Sequence, residues 1–219
     1  MQLTQRGTGL LDQPKRPIVL GGAGLVLTLL IGLIAVTFAE ATQASFQVDV
    51  WIHDALSPWF DPIAKTVAQM DHPPVVAAIL LVLGVLVAIW RGWLAGLGAM
   101  WVAGAGWLSI YVVKVLVSEP RPTGTFDPAY LEHGLSFPSG HATFAVTLSV
   151  AAVAASAGWS GRWIAAWIGV AFVLLTALTR LYLGVHYPID VIGGMIGGFS
   201  AALLMIGIWN AVIKRIVTQ

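Results

Sequence analysis

Long apolar runs dominate this sequence, and short polar stretches separate them. The first run, residues 17–39, contains no charged residue and directly follows Lys15 and Arg16. It is longer than the apolar core of a signal peptide and long enough to cross a bilayer, so we predict an uncleaved first membrane helix. Since membrane helices tolerate Gly and Pro, the remaining runs predict five more spans, which makes six. They cover residues 73–90, 93–117, 138–157, 162–182 and 189–211.

The connections between the runs predict the topology. Arg91 and Gly92 separate the second run from the third, and residues 158–161 separate the fourth from the fifth. Both pairs should therefore form tight antiparallel hairpins. An even number of spans puts both termini on one side of the membrane. The two long connections, residues 40–72 and 118–137, then lie together on the other side.

The first long connection has a helical pattern of its own. Between residues 44 and 70, bulky apolar side chains recur at roughly helical spacing beside Asp49, His53 and Asp61. This predicts an amphipathic helix in the membrane interface, which is either a lid packed on the bundle or a gate for lipid access. Because no internal repeat or linker divides the sequence, we predict one all-α, membrane-embedded domain over residues 1–219.

Composition supports a membrane protein and excludes several other classes. Hydrophobic residues make up 58% of the chain and charged residues 10%, against about 25% charged residues in a typical soluble domain. The net charge of +1 gives no sign of nucleic-acid binding, and nothing in the sequence indicates an obligate protein partner. Without cysteine there is no thiolate nucleophile or thiolate metal site. Chemistry must come from His, Ser, Asp, Lys or Arg.

Lysine and arginine are unevenly distributed across the predicted topology. Cytoplasmic loops carry an excess of these residues, and most of them fall on the side of the termini. Those on the terminal side are Arg6, Lys15, Arg16, Arg91, Arg162, Lys214 and Arg215. All carboxylates except Asp12, and all five histidines, fall on the other side. We therefore predict an integral plasma (inner) membrane protein with cytoplasmic termini and an active site facing the periplasm or cell exterior.

Two cations lie near the predicted outer end of the third span. Lys114 lies within the last turns of the run, and Arg121 with Pro122 follows in the connection. Ionisable residues at membrane depth are costly, so each is a candidate functional residue, and this pair could hold a polyanion. Either side chain could instead reach up to the lipid headgroups, as single Lys and Arg residues often do.

A second cluster, Phe137-Pro138-Ser139-Gly140-His141, begins the fourth run. Pro fits the start of a helix, where the free N–H groups of Ser139, Gly140 and His141 should point outwards and form an anion site. Gly140 permits close approach of the backbone, Ser139 adds a hydroxyl, and His141 could donate a proton to a leaving oxygen. By itself this sequence could equally be an ordinary helix cap.

The third cluster is Thr179-Arg180-x5-His186-x3-Asp190, between the fifth and sixth runs. Asp190 should lie one helical turn after His186, close enough to accept a hydrogen bond from Nδ1–H. The Nε2 atom of His186 is then free to act as a nucleophile, with Asp190 as the orienting group. A helix-capping Asp beside an interfacial His is the alternative. Three such clusters at one face of a charge-poor chain favour a shared site.

Together the three motifs, K-x6-R-P, P-S-G-H and T-R-x5-H-x3-D, resemble those of the type 2 phosphatidic acid phosphatase superfamily, which has Ser where Thr179 stands. The resemblance implies that His186 attacks phosphorus and forms a phosphohistidine, while His141 protonates the leaving oxygen and Asp190 holds His186. It also implies that no metal or cofactor takes part. The implied phosphate-binding residues are Lys114, Arg121, Ser139, Gly140 and Arg180. With Thr179 a hydroxyl is kept, so we expect phosphate contact there to survive.

The implied function is hydrolysis of the terminal phosphate of a membrane lipid phosphate or pyrophosphate. The superfamily also includes vanadium haloperoxidases and soluble acid phosphatases, but the membrane topology disfavours both. The full motif set argues against an inactive lipid-binding or transport relative. Undecaprenyl pyrophosphate is the leading substrate, with phosphatidylglycerol phosphate, phosphatidic acid and diacylglycerol pyrophosphate as alternatives. Several residues of the second long connection either select the headgroup or form an ordinary solvated loop, namely Glu119, Asp127, Tyr130, Glu132 and His133.

Overall fold

A computed structural model describes residues 9–217, and the described part of the chain is helical with no β-strand. Arg6, which entered the charge argument, and both ends of the predicted domain lie outside the described residues. The helices are α1 (Pro17–Thr37), α2 (Ala39–Ala44), α3 (Gln47–Leu56), α4 (Asp61–Ala68), α5 (Pro73–Arg91), α6 (Trp93–Val117), α7 (Gly140–Ala155), α8 (Arg162–Tyr182) and α9 (Pro188–Val217). Two short 3-10 turns, Gln69–Asp71 and Pro128–Tyr130, complete the secondary structure.

Five of these helices, α1, α5, α6, α8 and α9, are long and apolar enough to cross a membrane. The predicted all-α membrane fold is therefore confirmed at this level. The sixth predicted span, residues 138–157, corresponds to α7, which has only 16 helical residues. It is shorter because Pro138 precedes the helix and Ser139 is its N-cap. Whether α7 crosses the membrane stays a prediction.

The bundle is organised around α9, which packs against α1, α6 and α7. Close approach of helices is possible where glycines face them. A Cβ on Gly194 would lie 2.6 Å from the backbone oxygen of Ser139, so this glycine lets the first turns of α9 and α7 touch. At the other end, Gly92 with φ 97° allows the sharp reversal between α5 and α6, as the predicted hairpin requires.

The first long connection forms three helices, α2, α3 and α4, whereas the sequence pattern predicted one. Helices α3 and α4 pack against α8, where Phe60 and Ala64 are buried against Tyr182. Polar contacts fix the same interface, because the Tyr182 hydroxyl donates to Asp61 at 2.5 Å and His53 Nδ1 lies 3.0 Å from the Tyr182 carbonyl oxygen. This arrangement has the packing of a lid. An interfacial position for these helices stays a prediction.

Candidate active site

Polar side chains converge at the end of the bundle that carries both long connections. They surround a cavity of about 510 Å³. Its wall includes Lys114 from α6, Arg180 from α8, and Arg121 and Glu132 from the second connection. The first connection contributes Asp71. The fold therefore brings residues that are far apart in sequence to one polar cavity.

His186 and Asp190 form a buried pair at the start of α9. Asp190 Oδ2 lies 3.2 Å from His186 Nδ1, and it also accepts hydrogen bonds from Ser136 Oγ at 2.5 Å and from the Tyr187 N–H at 2.9 Å. The other ring nitrogen, Nε2, lies 3.0 Å from an Arg121 NH1 group. Because a guanidinium can only donate, Nε2 carries a lone pair and Nδ1 carries the proton.

The surroundings of His186 keep its ring neutral. Burial disfavours the charged imidazolium, and the nearby Arg121 guanidinium adds to this, so the pKa of His186 falls from 6.5 to about 4. A neutral ring with its proton on Nδ1 presents the Nε2 lone pair to Arg121, which itself lines the cavity. This is the protonation state that a histidine nucleophile needs.

His141 begins α7 and is almost completely buried. Its Nε2 atom lies 3.2 Å from the Ala68 carbonyl oxygen and 3.2 Å from Asp71 Oδ1, both in the first connection. Its Nδ1 atom lies 3.7 Å from Glu132 Oε1. The first connection thus orients the predicted proton donor, a role that its apolar pattern did not reveal.

The two arginines of the site face each other across a carboxylate. Arg180 is completely buried and donates from NH1 to Glu132 Oε1 at 3.0 Å, while Arg121 NH2 lies 2.8 Å from Glu132 Oε2. Arg121 also donates to the Val185 carbonyl oxygen at 2.8 Å. The Nε and NH2 groups of Arg180 are buried and have no hydrogen-bond partner among the described residues. The cluster therefore has spare donors for a larger anion.

The carboxylate of Glu132 occupies the place where Arg121 and Arg180 bind negative charge. Both histidines are also close, with His186 Nε2 at 3.8 Å from Oε2. Burial by itself raises the pKa of Glu132, but the two histidines and the two arginines outweigh it and lower the pKa to about 2. The side chain is therefore a permanent carboxylate. The sequence predicts a loop position for Glu132 but contains no signal that this side chain binds the site arginines.

Lys114 lies at the edge of the cavity and is tied to the second connection. Its Nζ atom donates to the Leu135 and Ser136 carbonyl oxygens at 2.7 and 3.0 Å. Ser136 in turn bonds Asp190 and lies 3.2 Å from His186 Nδ1 through its hydroxyl. Ser136 was not predicted, because an isolated Ser in a loop gives no sequence signal.

One prediction for the second motif is wrong. The Ser139 N–H does not point outwards, because it donates to the Asp190 carbonyl oxygen at 3.0 Å. The Ser139 hydroxyl caps α7 by accepting from the Ala142 N–H at 3.4 Å. These bonds dock the start of α7 on the start of α9, so Ser139 is buried there. Gly140 starts the helix itself and leaves His141 beside the arginines.

The hydroxyl of Thr179 also has a local partner. It donates to the Thr176 carbonyl oxygen at 2.7 Å, one turn earlier in α8, and the residue is completely buried. Its hydrogen is therefore used inside the helix. The hydrogen bond of Thr179 to Thr176 does not support the phosphate contact that we expected from the Thr179 hydroxyl.

Asp71, Glu132 and His141 come close enough to hold a metal ion, with ligand atoms within 4.8 Å of one another. The sequence showed no dense carboxylate cluster, because these residues come from three separate segments. Arg180 NH1 lies 3.0 Å from Glu132 Oε1 and 3.3 Å from His141 Nε2. A cation between these ligands would meet the guanidinium charge directly. The donor set therefore fits an anion better than a metal.

Known proteins share parts of this sequence. The profile of the PAP2 superfamily matches residues 93–214, more than half of the chain. An undecaprenyl-diphosphatase of Sulfolobus acidocaldarius is 34% identical over 102 residues, 44% of this chain and 47% of that protein. Undecaprenyl-diphosphatase BcrC of Bacillus subtilis is 35% identical over 99 residues, 42% of this chain and 46% of that protein. The chain thus spans about half the length of these curated relatives.

A solved structure has a similar fold. It is the crystal structure of a transmembrane PAP2-type phosphatidylglycerolphosphate phosphatase from Bacillus subtilis, with a TM-score of 0.70 and 23% sequence identity. The match covers 89% of this chain and 96% of that chain. At this identity the likeness shows the shared helical fold. The profile match, which contains all three motifs, identifies this chain as a member of the PAP2 superfamily.

Proposed function

We propose that this chain is a metal-independent lipid phosphatase, which hydrolyses the terminal phosphate of a membrane lipid phosphate or pyrophosphate. The main observation in support is that Arg121 and Arg180 both bind the carboxylate of Glu132, which lies between His141 and His186. An anion bound there is within reach of a nucleophile and a proton donor together. In this proposal a substrate phosphate displaces Glu132 and takes over its contacts.

The chemical steps follow from the arrangement of the two histidines. When phosphate displaces Glu132, Arg121 binds the phosphate oxygens. Its hydrogen bond to His186 Nε2 is then broken, and the lone pair of that atom is free. This atom forms a bond to phosphorus while the bond from phosphorus to the leaving oxygen breaks, and His141 gives that oxygen a proton. Water then attacks the phosphohistidine, with His141 as base, and phosphate leaves. Arg121, Arg180 and Lys114 stabilise the charge that develops on the phosphoryl oxygens.

We further propose the topology that the sequence predicted. In it α7 is the sixth span, the helices α2 to α4 lie at the membrane interface, and the whole chain forms one domain. The excess of Lys and Arg near the termini supports a cytoplasmic location for both ends and an outward-facing site. The exposed side chains of Trp51 and Trp59 support the interfacial position, since aromatic residues favour the headgroup region.

Undecaprenyl pyrophosphate is our leading substrate. Both curated relatives are named for it, and an outward-facing site suits a carrier whose pyrophosphate is released outside the cell. In this proposal the site residues bind only the terminal phosphate and not the rest of the lipid. Phosphatidylglycerol phosphate, phosphatidic acid and diacylglycerol pyrophosphate are therefore second candidates, because each offers the same terminal group.

A substrate panel tests the activity. We expect the purified protein in detergent, with EDTA present, to release phosphate from at least one of these lipids. The variant His186→Ala should release none and should fail to form the alkali-stable phosphohistidine. The matched control is His53→Ala, a half-buried histidine of α3 that does not line the cavity. Absence of phosphate release from every lipid, or strict dependence on an added metal, would contradict the proposal.

Orientation has a separate test, because the native chain contains no cysteine. A cysteine introduced by Thr125→Cys should react with an impermeant thiol reagent in intact cells. Reaction only after lysis would invert the proposed topology.

A further inference from the structure

Asp190 has an uneven set of partners. Its Oδ2 atom faces three donors, from Ser136, Tyr187 and His186. Its Oδ1 atom is also buried, but no N–H or hydroxyl group of the described residues donates to it. A buried carboxylate oxygen without a donor is costly, so a further group is needed at Oδ1.

Glu119 lies beside the Asp190 carboxyl. It follows α6 in the second connection and is only 3% exposed. Its carbonyl oxygen accepts from the Ser136 N–H at 2.8 Å, which places both residues beside Asp190. The Glu119 carboxyl is in hydrogen-bond contact with the Asp190 carboxyl. Its Oε2 atom, like Asp190 Oδ1, is buried without a partner among the described N–H and hydroxyl groups. Two carboxylates in contact repel each other, whereas a carboxylic acid and a carboxylate share a strong hydrogen bond.

We propose that Glu119 is a positioning residue, held as a neutral carboxylic acid that donates a hydrogen bond to Asp190 Oδ1. This bond fixes the Asp190 carboxylate so that Oδ2 faces His186, and it leaves the negative charge of the pair on Asp190. Glu119, Asp190 and His186 then form a chain of three hydrogen-bonded side chains. The inference rests on the proposed function, in which His186 is the nucleophile.

The electrostatic surroundings agree with this protonation state. Burial, followed by the hydrogen bond to Asp190 and the charge of Asp190, raises the pKa of Glu119 to about 9 against the lowering influence of Lys114. Two other titratable groups lie in this region. They are Tyr187, whose pKa is raised mainly by burial, and Asp49 on α3, a fully buried side chain whose pKa burial raises to about 8. Glu119 therefore keeps its proton at neutral pH and loses it as the pH rises through about 9.

The test compares Glu119→Ala with Glu119→Gln, because an amide can still donate to Asp190 whereas a methyl group cannot. We expect kcat to fall on the order of 100-fold in Glu119→Ala, with little change in KM, since a misaligned nucleophile slows the chemical step. Glu119→Gln should recover most of the wild-type kcat. Wild-type activity should also decline above about pH 9, and Glu119→Gln should lack this decline.

Asp49→Asn is the matched control, since it removes a second buried carboxyl that has no hydrogen-bond partner among the described residues. It should keep the alkaline decline of the wild type. If Asp49→Asn abolishes that decline, or if Glu119→Gln is as slow as Glu119→Ala, Glu119 does not act as proposed.

An infrared difference spectrum separates this inference from the proposed activity. At neutral pH the wild type should show the carbonyl band of a protonated carboxyl group that is missing in Glu119→Gln. The same band should disappear from the wild type at high pH. This readout needs no substrate and no turnover, so it applies even if Glu119→Ala does not fold or if the lipid panel yields no phosphate. An identical spectrum for the two proteins would overturn the inference.

Discussion

Two arginines at opposite ends of the bundle, Arg180 and Arg91, are both buried but have different partners. Arg91, at the end of α5, donates from NH1 to the Ala155 and Ala157 carbonyl oxygens at 2.8 and 3.1 Å. A third bond, from NH2 to the Leu10 carbonyl oxygen, is 3.4 Å long. Arg180 instead contacts the side chain of Glu132, and two of its nitrogen groups have no partner in the described residues.

The two buried arginines differ in the kind of acceptor that they bind. The three acceptors of Arg91 given above belong to the backbone, so this arginine joins the end of α5 to the end of α7 and to the N-terminal segment. The acceptor of Arg180 is a loop carboxylate, which a substrate phosphate displaces in the proposed function. A buried arginine therefore indicates an anion site when its acceptor is replaceable and its remaining donors are unused.

The largest expected effect is that of Arg180→Ala on catalysis. Loss of one preorganised donor to the phosphoryl oxygens should lower kcat by about 100-fold to 1,000-fold. The melting temperature in detergent should change little, because Glu132 keeps its contact with Arg121. Phosphate release and thermal unfolding, measured on the same preparation, check both parts. If Arg180→Ala lowers the melting temperature but the protein that stays folded keeps the wild-type kcat, Arg180 has a structural role like that of Arg91.

Arg91→Ala should have the opposite outcome. Removing the guanidinium leaves buried carbonyl oxygens without a donor, which should lower the free energy of unfolding by about 2 kcal/mol. The kcat of the folded protein should stay at the wild-type value, since the residue lies at the far end of the bundle. Chemical denaturation in detergent measures the first quantity. A loss of kcat without loss of stability would contradict the distinction between the two arginines.

Glu132→Gln tests whether the acceptor of Arg180 is replaceable. A neutral amide binds the arginines more weakly than a carboxylate, so orthovanadate, which has the charge and shape of a phosphate analogue, should bind about tenfold more tightly. Inhibition of phosphate release by vanadate gives the affinity. The control is Asp127→Asn, which changes a carboxylate of the same connection that pairs with Lys65 and not with the site. Equal or weaker vanadate binding by Glu132→Gln would mean that Glu132 is not in competition with phosphate.

The sequence predicted the helical membrane fold because apolar runs of bilayer length have few other solutions. It also predicted the pairing of His186 with Asp190, since residues four apart on a helix are neighbours. Arg121 and Arg180 could be assigned to a common site because both flank helix ends on the same predicted face. Each of these predictions depends only on the local periodicity of the sequence or on the alternating direction of successive membrane spans.

Other parts of the site depend on tertiary packing, which no local pattern encodes. Glu132 and Asp71 lie in connections whose course is set by contacts with α7 and α8. The burial of Glu119 could not be predicted, because Glu at a loop start is normally solvated. The outward direction expected for the Ser139 N–H was wrong for the same reason, since its acceptor is contributed by α9.

The smallest expected effect is a shift in the pH dependence of kcat/KM, which reports groups of the free enzyme. In the proposed mechanism His186 attacks in its neutral form, and burial and then the Arg121 charge lower its pKa to about 4. Activity should therefore persist as the pH falls below 6.5, the ordinary histidine value, and decline only near pH 4. In Arg121→Gln the acid limb should move upwards, because one charge that disfavours the imidazolium is gone. Arg91→Ala should leave it in place, since the arginine at the other end of the bundle is too far away to act on the ring.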